Sequence, residues 1–249
     1  MSKQKLAKII GVCTIAIMLI VVITIFPACQ PQTHTPPPHG LVFDGVDDYV
    51  VLGNATVLGF TSQNFTIETW IKPGNVTKRM RVFQRGSYNN DGYRLDAITN
   101  GTLAFYTYQS NATQATFTSS NVVAVGNWSH VAVVRQGTSV RIYVNGVDRA
   151  GTAGSHIDPA YVANRNATIG TSYAPEVFYG IISEVRVWDY ARSESQINAG
   201  MYGNFTGSES GLVGYWKLNE GSGTMAHDST ANNNHGTLYG NPVWFTGGS

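Results

Sequence analysis

The chain has 249 residues, a formal net charge of +1 and only 12% charged residues, and without Lys3, Lys5 and Lys8 near its start 13 of the 16 basic residues remain against 15 acidic ones. This balance excludes the strongly basic surface that nucleic-acid-binding domains carry. The 27 glycines and 11% aromatic residues favour many short strands joined by turns and exclude a disordered chain.

Residues 1–28 have the layout of an export signal or a membrane anchor. Three lysines precede an uncharged, mostly apolar run over residues 9–28. A charged start followed by an apolar core is typical of a signal peptide. A run of this length also suffices to span roughly 30 Å of hydrocarbon. Both interpretations place the rest of the chain outside the cell.

Cys13 and Cys29 are the only cysteines, so residues 40–249 contain no disulfide, Cys-based zinc site or thiol nucleophile. Residues 26–29 read Phe-Pro-Ala-Cys and resemble a bacterial lipobox, in which a small residue precedes a lipidated cysteine, although the phenylalanine and proline depart from the usual pattern. Three alternatives stay open: lipidation of Cys29, an uncleaved anchor, and a simple cleaved signal.

Residues 29–39 are predicted to form a linker. The three consecutive prolines at 36–38 favour an extended polyproline II spacer. Together with the N-terminal segment, this linker predicts an extracellular, cell-surface domain that is anchored to a membrane.

Residues 40–249 are predicted to form one β-rich domain. Residues 65–71 alternate with a period of two and carry bulky side chains on both faces, as a strand between two layers does. Residues 129–135 and 140–144 repeat the alternation, and the short connection with Gly137 predicts a hairpin. Asn145-Gly146 predicts a type I′ turn directly afterwards.

One short helix is predicted near residues 193–199. Ser193 offers an N-cap, Gln196 completes a capping box, and Gly200 is expected to end the helix. Strand signals about ten residues apart, without helical crossovers, favour a sandwich or a barrel.

Six motifs in chain order resemble the laminin-G-like jelly-roll domains, which share the concanavalin A-like lectin/glucanase fold. The motifs occupy residues 43–50, 65–73, 128–134, 142–146, 182–188 and 214–237. The resemblance covers nearly all of residues 40–246 and implies an all-β, two-sheet antiparallel jelly-roll sandwich. It does not fix the function, because this fold hosts lectins, adhesion modules and glycanases alike.

A ligand site is implied by the resemblance to pentraxins, which hold calcium between two loops on one sheet. The matching stretches are residues 82–92 and 169–176, although Ser172 and Ala174 stand where acidic ligands are expected, which argues against a double-calcium site. Tyrosines that stack on sugars and polar groups that bond hydroxyls lie on or beside these stretches. The alternative is chance exposure of tyrosines. The predicted rim, an open surface on one sheet, consists of Tyr88, Asn89, Asn90, Asp91, Tyr173, Glu176 and Tyr179.

Catalysis is not predicted. Glucanases of the resembled fold carry paired carboxylates on one strand, in a Glu-x-Asp-x-x-Glu pattern that this sequence lacks. The nearest match is Glu184, for which the pattern predicts Arg186 as an ion-pair partner. Glu68, Trp70 and His130 are predicted to be internal polar groups bonded between strands.

A structural cation, at most one Ca²⁺, is more credible than a catalytic one. Its predicted oxygen donors lie near the first strand and in the last long loop, and they are Asp47, Asp48, Asp228, Asn232 and Asn234. The alternative is turn chemistry, since Asp and Asn side chains bond their own backbone. Zinc is not predicted, because the histidines lack ligand spacing and His235 is interpreted as a turn residue.

The sequence contains eight Asn-x-Ser/Thr sequons, where composition predicts about three. Glycosylation is one interpretation, and abundant Thr-rich strands with Asn-rich turns are the other. The candidate sites are Asn54, Asn64, Asn75, Asn100, Asn111, Asn127, Asn166 and Asn204.

Two functional hypotheses follow. The first is a non-catalytic surface recognition or adhesion module that binds a glycan or a protein partner. The second is a structural surface or filament subunit that assembles through its edge strands. A glycoside hydrolase ranks below both.

Overall fold

The computed structural model describes residues 35–53, 55–151, 155–171 and 175–247. The predicted N-terminal signal or anchor, the lipidation candidate Cys29, the sequon at Asn54 and the rim residue Tyr173 lie outside the described residues.

Two antiparallel sheets and one helix make up the domain. The helix is α1 (Glu194–Gly200), and two 3-10 turns cover Thr56–Leu58 and Thr99–Gly101. The strands are β1 (His39–Asp44), β2 (Tyr49–Val51), β3 (Phe65–Pro73), β4 (Met80–Ser87), β5 (Asp91–Ile98), β6 (Thr102–Gln109), β7 (Ala112–Phe117), β8 (Ser129–Gln136), β9 (Ser139–Val144), β10 (Val147–Asp148), β11 (Ala167–Gly170), β12 (Tyr179–Trp188), β13 (Leu212–Trp216), β14 (Met225–Ala226), β15 (Gly236–Tyr239) and β16 (Val243–Thr246).

Sheet 1 has the strand order β10-β9-β8-β3-β12-β1-β16, and β13 also pairs with β12. Sheet 2 has the order β14-β15-β2-β11-β4-β5-β6-β7. Neighbouring strands in both sheets are antiparallel. The predicted two-sheet antiparallel jelly-roll sandwich is confirmed.

The core lies between the sheets and comes from alternate residues of their strands. Phe65 and Ile67 of sheet 1 meet Tyr93 and Phe105 of sheet 2, and all four are buried. The ring centroids of Phe65 and Tyr93 lie 5.0 Å apart. Each side chain of this size contributes roughly 1.5–3 kcal/mol when it leaves water, so this contact between layers is a main source of stability.

The outer face of sheet 1 is partly covered by α1. Ile197 packs on Ala132, Val134 and Tyr143 of β8 and β9. Strand β3 is therefore buried on both faces, as its sequence predicts. Among the described residues, no helix is both long enough and apolar enough to cross a membrane.

The local signals at α1 and at the hairpins are largely confirmed. Ser193 and Gln196 form the predicted capping box. The prediction that Gly200 ends the helix is wrong by one residue, because Gly200 is helical and Met201 forms the C-cap. Asn145 and Gly146 have φ of +50° and +76°, as a type I′ turn requires.

Candidate ligand-binding pocket

The two predicted ligand loops lie on one sheet, as predicted, at opposite ends of β4. Ala167 of β11 pairs with Arg85 of β4, and Ile169 pairs with Phe83. Because the two strands are antiparallel, the segment after β11 lies at the start of β4, whereas the turn after β4 lies at its other end. The Arg81 amide accordingly donates to the Glu176 carbonyl at 2.8 Å.

A pocket of about 620 Å³ lies along β4 between these two loops. This volume is typical of small-molecule sites, so the structure has a pocket where the sequence predicts an open rim. It lies on the outer face of sheet 2, away from the core. Its lining residues are Lys78, Arg79, Arg81, Gln84, Gly86, Ser87, Tyr88, Arg94, Pro175 and Glu176.

Guanidinium groups from β4, from β5 and from Arg79 just before β4 form the base of the pocket around a fully buried carboxylate, Asp96. The Asp96 carboxylate lies 3.0 Å from Arg94 Nε, 3.4 Å from Arg79 Nη1 and 3.7 Å from Arg81 Nε. Burial raises the pKa of Asp96, and the three neighbouring cations act in the opposite direction. This network fixes the positions of the three guanidinium groups.

Tyrosine rings surround Arg94. Its guanidinium carbon lies 4.5 Å from the ring centroid of Tyr106, 5.4 Å from that of Tyr88 and 5.5 Å from that of Tyr108. Burial raises the pKa of Tyr106 and of Tyr108, which keeps both phenols neutral. Tyr88 is 70% exposed and therefore presents its ring to solvent at the edge of the pocket.

The predicted rim residues of the β4–β5 turn have different surroundings. Asn89 accepts a hydrogen bond from Thr113, and Asn90 is exposed. Asp91 is fully buried, and Arg165 and Asn90 contact its carboxylate at 3.2 Å. The structure thus places Asp91 inside the hairpin rather than at a rim.

The other two described rim residues, Glu176 and Tyr179, lie in different parts of the domain. Glu176 lines the pocket and forms an ion pair with Arg81. Tyr179 is the first residue of β12, which belongs to sheet 1, so it does not line the pocket. Its ring instead covers Gly45 and Gly74.

The predicted metal ligands fall into two groups. Asp47 and Asp48 join Asp44, and one carboxylate oxygen of each lies within 4.8 Å of the others. Asp48 is buried, and one of its oxygens accepts from the Asp44 amide at 2.7 Å. Burial and the neighbouring carboxylates Asp44 and Asp47 raise the pKa of Asp48. Asp228 is not a member of this cluster.

The Asp228 carboxylate accepts hydrogen bonds from backbone amides and a hydroxyl group in and beside the last long loop. Oδ1 accepts from the amides of Tyr215 and Thr230, and Oδ2 accepts from the Thr230 hydroxyl and the Asn234 amide, all at 2.9–3.0 Å. Asn232 donates to the Val213 carbonyl. This pattern is the turn chemistry that the sequence offered as the alternative to a cation.

Glu184 has partners that the sequence did not predict. It sits at a bulge of β12 with φ of +54°, and its carboxylate accepts from the Tyr215 hydroxyl and contacts His39 at 2.9 Å. The predicted ion pair with Arg186 is wrong, because the bulge breaks the period of two and Arg186 instead lies 3.7 Å from Glu68.

The interpretation of Glu68, Trp70 and His130 as internal polar groups is confirmed. All three are buried under the α1 side of sheet 1. Arg192 donates to Glu68, and Trp70 donates to the Met201 carbonyl at 3.0 Å. Burial alone raises the pKa of Glu68, but His130, Arg186 and Arg192 lower it to about 2.

Seven of the eight sequon asparagines lie in the described residues. All are exposed except Asn75, which is half-buried, and the exposed ones are Asn64, Asn100, Asn111, Asn127, Asn166 and Asn204. Exposure is needed for glycosylation and does not establish it, so modification stays a prediction.

Comparison with known proteins identifies the family. A laminin G family model, described as concanavalin A-like lectin/glucanases superfamily, matches residues 44–198, more than half of the chain. The chain belongs to this superfamily. No curated protein sequence matches it.

Several solved structures share the fold of this superfamily member. A candidate carbohydrate-binding protein from Bacteroides ovatus is 24% identical with a TM-score of 0.63, over 86% of this chain and 62% of that chain. This chain therefore spans less than two thirds of that relative. The CBM40 module of the Ruminococcus gnavus IT-sialidase, bound to α2,3-sialyllactose, is 16% identical with a TM-score of 0.55, over 66% and 96%. The receptor-binding domain of botulinum neurotoxin D is 16% identical with a TM-score of 0.51, over 65% and 42%.

Sequence reasoning missed the basic and aromatic residues of the pocket. Arg94 and Asp96 alternate with the core residues Tyr93, Leu95 and Ala97 along β5, and Tyr106 and Tyr108 alternate with Phe105 and Thr107 along β6. The period of two therefore contained the signal that these side chains share the outer face. Consecutive hairpins of β4, β5 and β6 bring these residues together, whereas Glu176 comes from a segment about eighty residues further along the chain.

Proposed function

We propose that the domain is a non-catalytic carbohydrate-recognition module whose site is the pocket on the outer face of sheet 2. The observation that carries this proposal is the exposed Tyr88 ring beside the donors of Arg79, Arg81 and Gln84. A sugar offers a C–H face to an aromatic ring and hydroxyls to polar groups. The pocket provides both kinds of partner within one site.

The comparisons support the class of ligand. Carbohydrate-binding proteins and modules are among the structures that share this fold, and one of them holds a trisaccharide ligand. At these identities the likeness shows the fold alone, so the site residues are argued from this chain. A protein partner is the alternative that remains if no glycan binds.

A glycan array probed with the purified full chain tests the proposal. Binding to a defined group of glycans, and loss of that binding in a pocket variant that keeps its melting temperature, would support it. Absence of binding to every glycan on the array would contradict it.

Self-association is the second candidate function, because each strand at an end of the two sheet orders carries an exposed large apolar side chain. Unpaired edges with apolar side chains are prone to pair with another chain. These residues are Phe117 in β7, Val147 in β10, Met225 in β14 and Val243 in β16. Light scattering at rising concentration separates the candidates: a recognition module stays monomeric, whereas a filament subunit grows.

Display at the cell surface belongs to the same proposal. The charged and apolar residues 1–28 and the linker at 29–39 support a membrane-tethered, extracellular domain. Replacing Cys29 by serine and extracting the membrane fraction tests the lipid anchor: release into the soluble fraction supports lipidation, and retention supports a transmembrane anchor.

A further inference from the structure

The pocket carries more basic than acidic side chains. The basic side chains that line it are Lys78, Arg79, Arg81 and Arg94. The acidic residues that form ion pairs with these arginines among the described residues are Asp96 and Glu176. The local balance is therefore positive, although the folded region as a whole carries no basic excess.

Asp96 does not compete for a ligand. It is fully buried beneath the guanidinium groups and contacts them from the side of the sheet. It neutralises part of the charge and fixes the orientation of Arg94, whose other side is bounded by tyrosine rings. All three arginines line the pocket, and Arg79, whose side chain is 35% exposed, is the most accessible of them.

Glu176 marks the point where these donors converge. Its carboxylate contacts Arg81, lies 3.9 Å from Arg94 Nη1 and lies 4.0 Å from Arg79 Nε. Its side chain is 26% exposed, so this convergence point is open to solvent. Three guanidinium groups around one partly exposed carboxylate form an arrangement that binds acidic groups well.

We propose that the pocket prefers glycans that carry a carboxylate or a sulfate over their neutral counterparts. The acidic group takes the guanidinium donors of Arg79, Arg81 and Arg94 beside or in place of Glu176, and the sugar ring stacks on Tyr88. This inference rests on the proposed function. It adds the chemical class of the ligand.

Matched pairs of glycans test the preference with the full chain. Suitable pairs are oligogalacturonate with its methyl ester, sialyllactose with its methyl ester, and sulfated with unsulfated lactose. The acidic member of at least one pair is expected to bind more tightly, by about threefold or more. Raising the salt from about 0.05 M to about 0.5 M is expected to reduce that difference. The pairs also distinguish a carboxylate from a sulfate ligand.

Two pocket variants are expected to change the affinity for the acidic glycan in opposite directions, which makes the test specific to this pocket. Glu176→Gln removes the competing carboxylate and is expected to raise the affinity for the acidic glycan by about threefold or more, without a matching gain for its neutral partner. Arg79→Gln, whose side chain is 35% exposed, is expected to lower the affinity for the acidic glycan. Lys72→Gln in β3 of sheet 1 removes the same charge elsewhere and is expected to change neither affinity.

The outcomes separate the two proposals. Equal binding of acidic and neutral partners, or an unchanged preference in Glu176→Gln and Arg79→Gln, overturns the acidic preference and leaves glycan recognition standing. No binding to either member of any pair overturns the acidic preference, and no binding to any glycan on the array as well overturns both proposals.

Discussion

The guanidinium carbon of Arg94 lies 5.4 Å from the ring centroid of Tyr88, so the most exposed tyrosine of the pocket is held beside a buried cation. This position allows one face of the ring to receive a sugar. Tyr88→Ala is therefore expected to lower glycan affinity by about 1 kcal/mol or more without lowering the melting temperature.

Tyr179→Ala is the matched control, because Tyr179 is 43% exposed but lies on sheet 1. Titration calorimetry with the glycan found on the array measures both variants. If the Tyr179 variant binds more weakly and the Tyr88 variant binds unchanged, the site lies on sheet 1 and the proposed pocket on sheet 2 is wrong.

Asp228 is expected to stabilise the protein equally with and without calcium. Its two oxygens accept four hydrogen bonds from the protein, so Asp228→Asn leaves donors facing an amide and costs about 2–4 kcal/mol. Urea unfolding in calcium and in EDTA measures this cost. A cost that appears only in calcium would restore Asp228 as a metal ligand.

Calcium binding stays a prediction, and among its predicted ligands Asp47 and Asp48 lie close to a third carboxylate, Asp44. Calcium at a hundredfold its dissociation constant is expected to stabilise the fold by about 2.7 kcal/mol. Asp47→Asn, at an exposed position, is expected to abolish that gain. Identical melting curves of the unmodified chain in calcium and in EDTA would contradict calcium binding.

His156 is expected to make the fold acid-sensitive. Burial and the nearby Arg135 lower its pKa from 6.5 to about 4, and its ring nitrogens bond the hydroxyls of Thr107 and Thr116. The unfolded state therefore binds a proton more readily, and stability is lost as the pH falls from about 6.5 to about 4, by roughly 3 kcal/mol at the lower value.

His156→Gln removes this titration while keeping an amide near both hydroxyls. Denaturant unfolding at several pH values compares the two proteins, and the variant is expected to lose less stability on acidification. Equal losses in both would assign the acid sensitivity to other groups.

Two turn glycines are expected to differ in their tolerance of alanine. Gly137 and Gly146 both have positive φ, and an added Cβ at Gly137 meets no atom within 4 Å, whereas one at Gly146 lies 1.8 Å from Asn198 Oδ1. Gly137→Ala is expected to cost about 1 kcal/mol for the left-handed backbone alone. Gly146→Ala is expected to cost more, because it also displaces the Asn198 amide that donates to the Gly146 carbonyl. Equal costs would show that the α1 contact contributes nothing to stability.

Local features were predictable from the sequence and the pocket was not. The hairpin at Asn145-Gly146 and the capping box at Ser193 depend on residues within four positions of each other, so the sequence specifies them directly. The two ligand loops lie at opposite ends of β4 because β11 pairs antiparallel with β4. This pairing joins segments about eighty residues apart in the sequence.

Polar residues that the fold buries were also predicted incorrectly from the sequence. A loop sequence such as Asn90-Asp91 looks exposed, but Gly86 and Gly92 pair closely and enclose the Asp91 carboxylate, which Arg165 then neutralises. The bulge at Glu184 similarly turns its carboxylate away from Arg186, and Arg186 forms an ion pair with Glu68 instead. Neither ion pair can be read from spacing, because each partner lies far away in the sequence.

His39 in β1 and Thr246 in β16 are paired residues of sheet 1, so the two ends of the described domain emerge side by side. Any sequence joined to either end leaves from the layer opposite the pocket, whose residues stand on the outer face of sheet 2. Fusion of a reporter at either end of the described domain is therefore expected to leave the pocket unobstructed.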